Sequence, residues 1–268
     1  MKVIDAHAVI QTLGLPDNCR VEKRIPKRLL LENGALTASD KRLITDAIEE
    51  IQWFAALKPN TIGVPVYQDA QCEYLEIAVL VVTLRATVKL ASRSRLAELA
   101  HRAVPYPMLL LLVEGQTVSL SLVHKRWAQN EASNVVLDGS LTSALLSHAT
   151  ADATAPDASA RSEAEHAFVQ SLPIALQPQT SLHSLYQGWM DCVQALQAAR
   201  LTGNYRTTAT PEQAVARRQA LADCERLEGE ISCLRAQGAK ERQMARQVEI
   251  NLQLKALLAE RQRIAQYL

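Results

Sequence analysis

Five cationic side chains fall within nine residues: Arg20, Lys23, Arg24, Lys27 and Arg28. Lysine and arginine neutralise phosphates and release counterions, so this cluster has the chemistry of DNA or RNA anchoring. The competing reading is a solvated loop whose cations pair with neighbouring acids. Lys125 and Arg126, followed by Trp127, place two more cations beside an aromatic ring and extend the expected nucleic-acid contact. Protection of a strand edge is the alternative role for them. Net charge singles out no polyanionic partner, because 29 Lys and Arg stand against 28 Asp and Glu. Any nucleic-acid contact must therefore use a local patch.

Catalytic chemistry finds less support. A restriction-type nuclease needs an acid ahead of a strand carrying Glu-x-Lys, to hold a hard cation and orient water. Glu73 and Glu76 precede an apolar segment, but Glu-x-Lys occurs nowhere in the chain. A divergent metal-dependent nuclease using Glu73 or Glu76 stays as the alternative reading. The nine glycines form neither standard phosphate-cradling loop, and no Gly-x-Ser-x-Gly elbow or Cys-x-x-Cys occurs. Histidines 7, 101, 124, 148, 166 and 183 stand apart in sequence. His7, two residues after Asp5, reads as part of a local hydrogen bond at a helix start. His101 reads as a partner of a helix C-terminal dipole. Five scattered cysteines suit reduced thiols in a cytoplasmic protein. No catalytic residue, metal ligand or cofactor is expected.

The elements that would carry these residues follow from periodicity. Met1–Leu15 reads as a short helix and Lys41–Leu57 as an amphipathic one, with Thr37, Ser39 and Asp40 as capping candidates. Glu73–Arg85 and Pro107–Val113 suit buried strands, with a helix over Thr87–Val104 between them. Glu114-Gly115-Gln116 turns the chain into Thr117–Lys125. There Val118, Leu120 and Leu122 alternate with Thr117, Ser119 and Ser121, which predicts one dry face and one wet face. Asn134–Leu137 reads as a further strand. The expected class is α+β, a mixed sheet of about four strands with packed helices, followed by a C-terminal helical hairpin or coiled-coil region.

Three regions are expected: an α/β domain over 1–148, a linker or loop over 149–180, and a helical region over 181–268. In the last, a helix through Leu182 to Leu196 precedes a break at Gly203-Asn204, and Pro211 opens a long charged segment. Leu221, Leu227, Ile231 and Leu234, with Cys224 between the first two, step by threes and fours, and Met244 and Val248 continue the pattern beyond Gly238. Two near-heptads are too few to secure a coiled coil, so these six apolar residues are read as a partner-binding surface. The longest apolar stretches, Ile77–Leu84 and Met108–Val113, fall far short of the roughly 20 residues of a membrane helix. No membrane partner is expected.

Several phrases together resemble an uncharacterised bacterial family of unknown-function domains. They are Arg24-Ile25-Pro26-Lys27, Ile51-Gln52-Trp53, Leu57 to Ile62, Glu76-Ile77, Val104 to Pro107, His124-Lys125-Arg126 and Lys240 to Asn251. Met244-Ala245 stands in the last where the family pattern leads one to expect an aromatic and then Asn. The family is often encoded beside helicases and DNA methyltransferases in restriction-like, anti-phage gene clusters. The resemblance implies an accessory protein that binds a helicase or methyltransferase, and DNA through its basic residues. It brings no catalytic residues with it. A self-associating structural protein, a homo-oligomer built through the tail, is the third reading.

Overall fold

The computed structural model describes residues 5–32, 36–85, 88–128, 131–146, 158–208 and 210–268, with backbone alone at 131–134 and 158–161. The elements run α1 (Ala6–Thr12), β1 (Arg20–Arg24), α2 (Arg28–Glu32), α3 (Ala38–Ala47), β2 (Ile48–Leu57), α4 (Pro59–Ile62), β3 (Tyr67–Gln68) and β4 (Glu73–Tyr74). There follow β5 (Ile77–Leu84), α5 (Leu90–Ala103), β6 (Met108–Glu114), β7 (Thr117–Ala128) and β8 (Glu131–Leu146). Four helices complete the order: α6 (Ala158–Ser171), α7 (Leu182–Thr202), α8 (Pro211–Gly238) and α9 (Met244–Ile264). Two compact units result, residues 1–158 with 165–193, and residues 159–164 with 194–268.

The first unit is organised by a six-stranded mixed sheet in the order β1-β2-β5-β6-β7-β8, two strands larger than expected. Among the described strands only β5 and β6 run parallel, and α5 makes the crossover that a parallel pair requires. Ile44 and Ala47 of α3 and Leu96, Leu99 and Ala100 of α5 pack on one face, against Leu80, Val82, Leu110 and Leu112. Val79, Leu109 and Leu111 are fully buried on the opposite face. That double burial explains why β5 and β6 read as continuous apolar runs.

Two expectations need correction here. Residues 48–57 form a strand, not the second half of a helix. Ile48 and Ile51 are three apart yet share one core, because the pairing of β2 with β5 slips between Ile48 and Glu50. A bulge inserts a residue and changes which side chains share a face, imitating helical spacing. The preceding helix ends at Ala47, and Thr37 with Asp40 caps its start in a reciprocal capping box. The second correction concerns β7. Its supposed wet face is buried from Ser121 to Lys125, with Ser121, Val123 and Lys125 all inside.

Asp5 caps α1 by accepting from the backbone N–H of Ala8 at 2.7 Å. His7 lies 2.7 Å from Gln11. The expected linker at 149–180 is described only from residue 158, where α6 begins; residues 149–157, and His148, lie outside the described residues.

In the second unit, Thr210 caps α8 by accepting from Gln213 N–H at 3.3 Å, and Pro211 occupies the first turn. Helix α9 returns antiparallel, forming the expected hairpin. Arg261 pairs with Glu228, and Arg217 donates to the carbonyl of Leu268 at 3.2 Å. Gly238 permits close approach at the turn, since a Cβ there would lie 3.3 Å from a methyl of Ile250. Among the described residues no helix is long and apolar enough to cross a membrane.

Candidate functional site

One end of the sheet gathers groups that are scattered in sequence. Strands β5 and β6 begin there side by side, Ala78 opposite Met108, and β2 ends there with Leu57 opposite Ile77. The second half of β7, from His124, runs past this end paired with β8. Four of the phrases that carry the family resemblance meet in this place: 57–62, 76–77, 104–107 and 124–126. Lys58 and Glu76 form an ion pair at 2.9 Å across it. Glu76 is thereby held by a cation.

Neighbouring side chains of β7 diverge to two different clusters. His124 turns toward α7 and a short hairpin of β3 and β4, in which Tyr67 lies opposite Tyr74. The His124 and His183 rings stack at 4.9 Å with 18° between planes. Tyr67 lies 4.8 Å from His183, and Tyr74 meets His183 edge-on at 4.9 Å. Burial and the neighbouring His124 lower the pKa of His183, while Asp69 opposes that shift. Tyr67 donates to Asp69 at 2.8 Å, and Asp69 also accepts two backbone N–H groups at the hairpin turn. Those backbone bonds hold the carboxyl down at about 2.

The hydrogen bonds around His124 have a direction. Gln187 donates its amide nitrogen to Asp191 at 2.8 Å, which aims its oxygen at Nε2 of His124, also 2.8 Å away. Nε2 therefore carries the proton, and Nδ1 accepts from Tyr74 at 2.5 Å. Burial raises the Tyr74 pKa far above its ordinary value, so the phenol keeps its proton. Tyr186 underlies the cluster: its hydroxyl accepts from Val123 N–H and lies 2.9 Å from the Met108 carbonyl. The result is an ordered relay from phenol to imidazole to amide to carboxylate. It can fix a tautomer.

Lys125 points the other way, beneath the segment that follows α5. It is 4 % exposed, and its amine donates to the carbonyls of Val104 and of Tyr106, the latter at 2.6 Å. Burial lowers its pKa to about 7. It helps line an open cleft of about 190 Å³, with Leu75, Pro105, Tyr106, Arg126 and Trp127 among the other walls. His101, at the end of α5, is 1 % exposed and bonds Ser121 at 3.2 Å. Burial and the nearby Lys125 lower its pKa to about 3, so it is neutral and supplies no charge to the helix dipole, contrary to the expectation above.

The remaining cations of the expected nucleic-acid contact lie elsewhere. Arg20, Lys23 and Arg24 are on β1, a sheet-edge strand, and Arg28 opens α2. Arg20 pairs with Asp17 at 3.2 Å, Arg24 with Glu50 at 3.4 Å and Arg28 with Glu32 at 2.8 Å. Lys27 donates to the Ile48 carbonyl, and Lys23 is exposed. Arg126 pairs with Asp138 at 3.4 Å. The structure thus brings Lys125 and Arg126 to one cleft and leaves the β1 group at the opposite edge of the strand order. Among the described residues, no group of three or more His, Cys, Asp or Glu is arranged to hold a metal.

The expected partner-binding residues also divide. Leu227 and Ile231 are fully buried, and Leu221 and Leu234 are half-buried. Met244, Val248 and Leu252 are 81 %, 56 % and 65 % exposed along one face of α9. The sequence reading missed Tyr67, Tyr74, His183 and Tyr186. A usable signal was the polar row His183, Gln187 and Asp191, at four-residue spacing beside the apolar residues Leu182, Leu185, Tyr186, Trp189 and Val193. Comparison with curated proteins and with solved structures gives no match. A family described as a domain of unknown function, DUF4391, matches residues 13–260, and the chain belongs to that family.

Proposed function

We propose that this chain is an accessory protein of a restriction-like or anti-phage system, docking a helicase or methyltransferase through α9. The observation that carries the reading is the exposed apolar row Met244, Val248 and Leu252, spaced to fall on one helix face. Recognition would follow the helix-in-groove mode, with apolar anchors one turn apart entering a hydrophobic groove of the partner. The identity of the partner rests on the resemblance set out above. Duplex DNA is a secondary ligand, contacted by Lys23, Arg24 and Arg28 on the β1 side. The ion pairs of Arg24 and Arg28 are surface pairs worth about 0–1 kcal/mol, which phosphates can replace.

The test uses the full-length protein and a helicase or methyltransferase encoded beside it. Met244→Glu, Val248→Glu and Leu252→Glu are combined, changing only exposed side chains. Recovery of the partner by the wild type, with at least a tenfold loss in the triple variant, supports docking through α9. Equal recovery by both proteins overturns it, as does light scattering that shows the row occupied by a second copy of this chain.

A further inference from the structure

We propose that Lys125 is a reactive amine, and that the cleft it lines takes a small flat carbonyl compound, an aromatic aldehyde or ketone, which Lys125 captures as an imine. The geometry of the amine carries the argument. A lysine ammonium has three N–H donors, whereas the neutral amine has two and a lone pair. Around Lys125 the two backbone carbonyls of Val104 and Tyr106 are the acceptors, and among the described residues no carboxylate pairs with it. The neutral form satisfies its two donors and is left with a lone pair. The ammonium would bury both a third donor and an uncompensated charge.

Charged and titratable neighbours do not restore the ammonium. On the α5 side the neighbour is His101, itself neutral, and its Nδ1 has no hydrogen-bond partner. In the cleft the neighbours are Cys72, Glu73 and Arg126. Burial raises the Cys72 thiol to about 11, so it stays protonated and does not compete as the nucleophile. The remaining walls, Leu75, Pro105, Tyr106, Pro107 and Trp127, are apolar or aromatic and suit a planar ring.

In the capture step the amine lone pair forms a bond to the carbonyl carbon, and the carbonyl π pair moves to oxygen, which is protonated. The resulting carbinolamine loses water as the C=N bond forms, so one water leaves for each imine and no oxidant is needed. The neutral imine nitrogen carries no hydrogen, so the Val104 and Tyr106 carbonyls both lose their donor and must turn to water. Tyr106 is exposed at the rim, where water is available.

The experiment treats the full-length protein with benzaldehyde and cyanoborohydride at pH 7, then maps adducts by peptide mass spectrometry over time. With a pKa of about 7, Lys125 is about half deprotonated there. An ordinary surface lysine is deprotonated to roughly one part in a thousand. The expected result is an adduct on Lys125 that forms at least tenfold faster than on exposed Lys23, Lys41 and Lys240, the amino terminus being left out of the comparison. Lys125→Arg should lose that adduct while its circular dichroism spectrum is retained. Should that variant misfold, the wild-type map alone decides. Labelling that reaches the exposed lysines first, with Lys125 last or unmodified, overturns the proposal.

Discussion

Tyr74 and His124 are fifty residues apart in sequence, and the phenol of one donates to Nδ1 of the other at 2.5 Å. This bond, with Gln187 on the far side of the ring, fixes His124 in the Nε2-protonated tautomer. Nitrogen-15 shifts of His124 should therefore report a protonated Nε2 and a bare Nδ1 near pH 8. Tyr74→Phe removes the donor to this part-buried acceptor, at about 1 kcal/mol. The variant should also populate the other tautomer. Unchanged nitrogen shifts in Tyr74→Phe would show that Gln187 alone sets the ring.

His101 gives the protein an acid-sensitive core. Its folded pKa of about 3 lies below the ordinary value, so between these limits the unfolded chain binds more protons than the folded one. Stability from the neutral ring is complete above about pH 6.5 and is lost progressively as pH falls toward 3. Asp40 contributes at lower pH. Its carboxyl is held well below the usual range, first by hydrogen bonds from Arg95 and then by Thr37, so its stabilisation fades only once pH drops through the carboxylate range. Urea unfolding from pH 6.5 to 4.5 should thus report the histidines. His101→Gln should flatten the slope in that window, and His183, whose pKa is also lowered, contributes to the part that remains.

Lys125 should act in the alkaline range, with the same sign. Because burial lowers its folded pKa to about 7, the unfolded chain binds the extra proton from about pH 7 to 10. Stability from this group therefore rises with pH across that interval. Lys125→Met removes the titration, so the stability of the variant should lack the rise, whatever its absolute value. The two lost hydrogen bonds to Val104 and Tyr106 lower that absolute value, so the readout is the slope. A wild-type slope that matches the variant's would mean that Lys125 is charged throughout.

The two sites were unequally legible in the sequence. Strands β5 and β6 could be read directly, because burial on both faces leaves an uninterrupted aliphatic run at Ile77–Leu84 and Met108–Val113. Strand β2 could not, because its bulge places Ile48 and Ile51 at helical spacing. Lys125 drew notice as a cation, but its burial did not. Local alternation assigned its face to solvent, and only tertiary packing places α5 and Val104–Tyr106 over it. The tyrosine and histidine cluster depends on pairing a two-residue hairpin with α7, over a hundred residues away, and no local pattern encodes that.

The apolar residues of the tail supply a last prediction, because they fall into two energetic classes. Leu227 is fully buried, so Leu227→Ala removes packed methyl groups and leaves a cavity, lowering stability by about 2–5 kcal/mol. Leu252 is 65 % exposed, so Leu252→Ala should stay within about 0.5 kcal/mol of the wild type. Binding should show the reverse order. An anchor that enters a partner's groove loses about 1 kcal/mol or more on truncation, roughly a fivefold to tenfold weakening, without any change in the melting transition of the free chain. Denaturant titration of the two variants, followed by partner titration of Leu252→Ala, measures both orders. If Leu252→Ala destabilised the isolated chain as strongly as Leu227→Ala, its side chain would be packed within the chain itself, and α9 would have no free row for a partner.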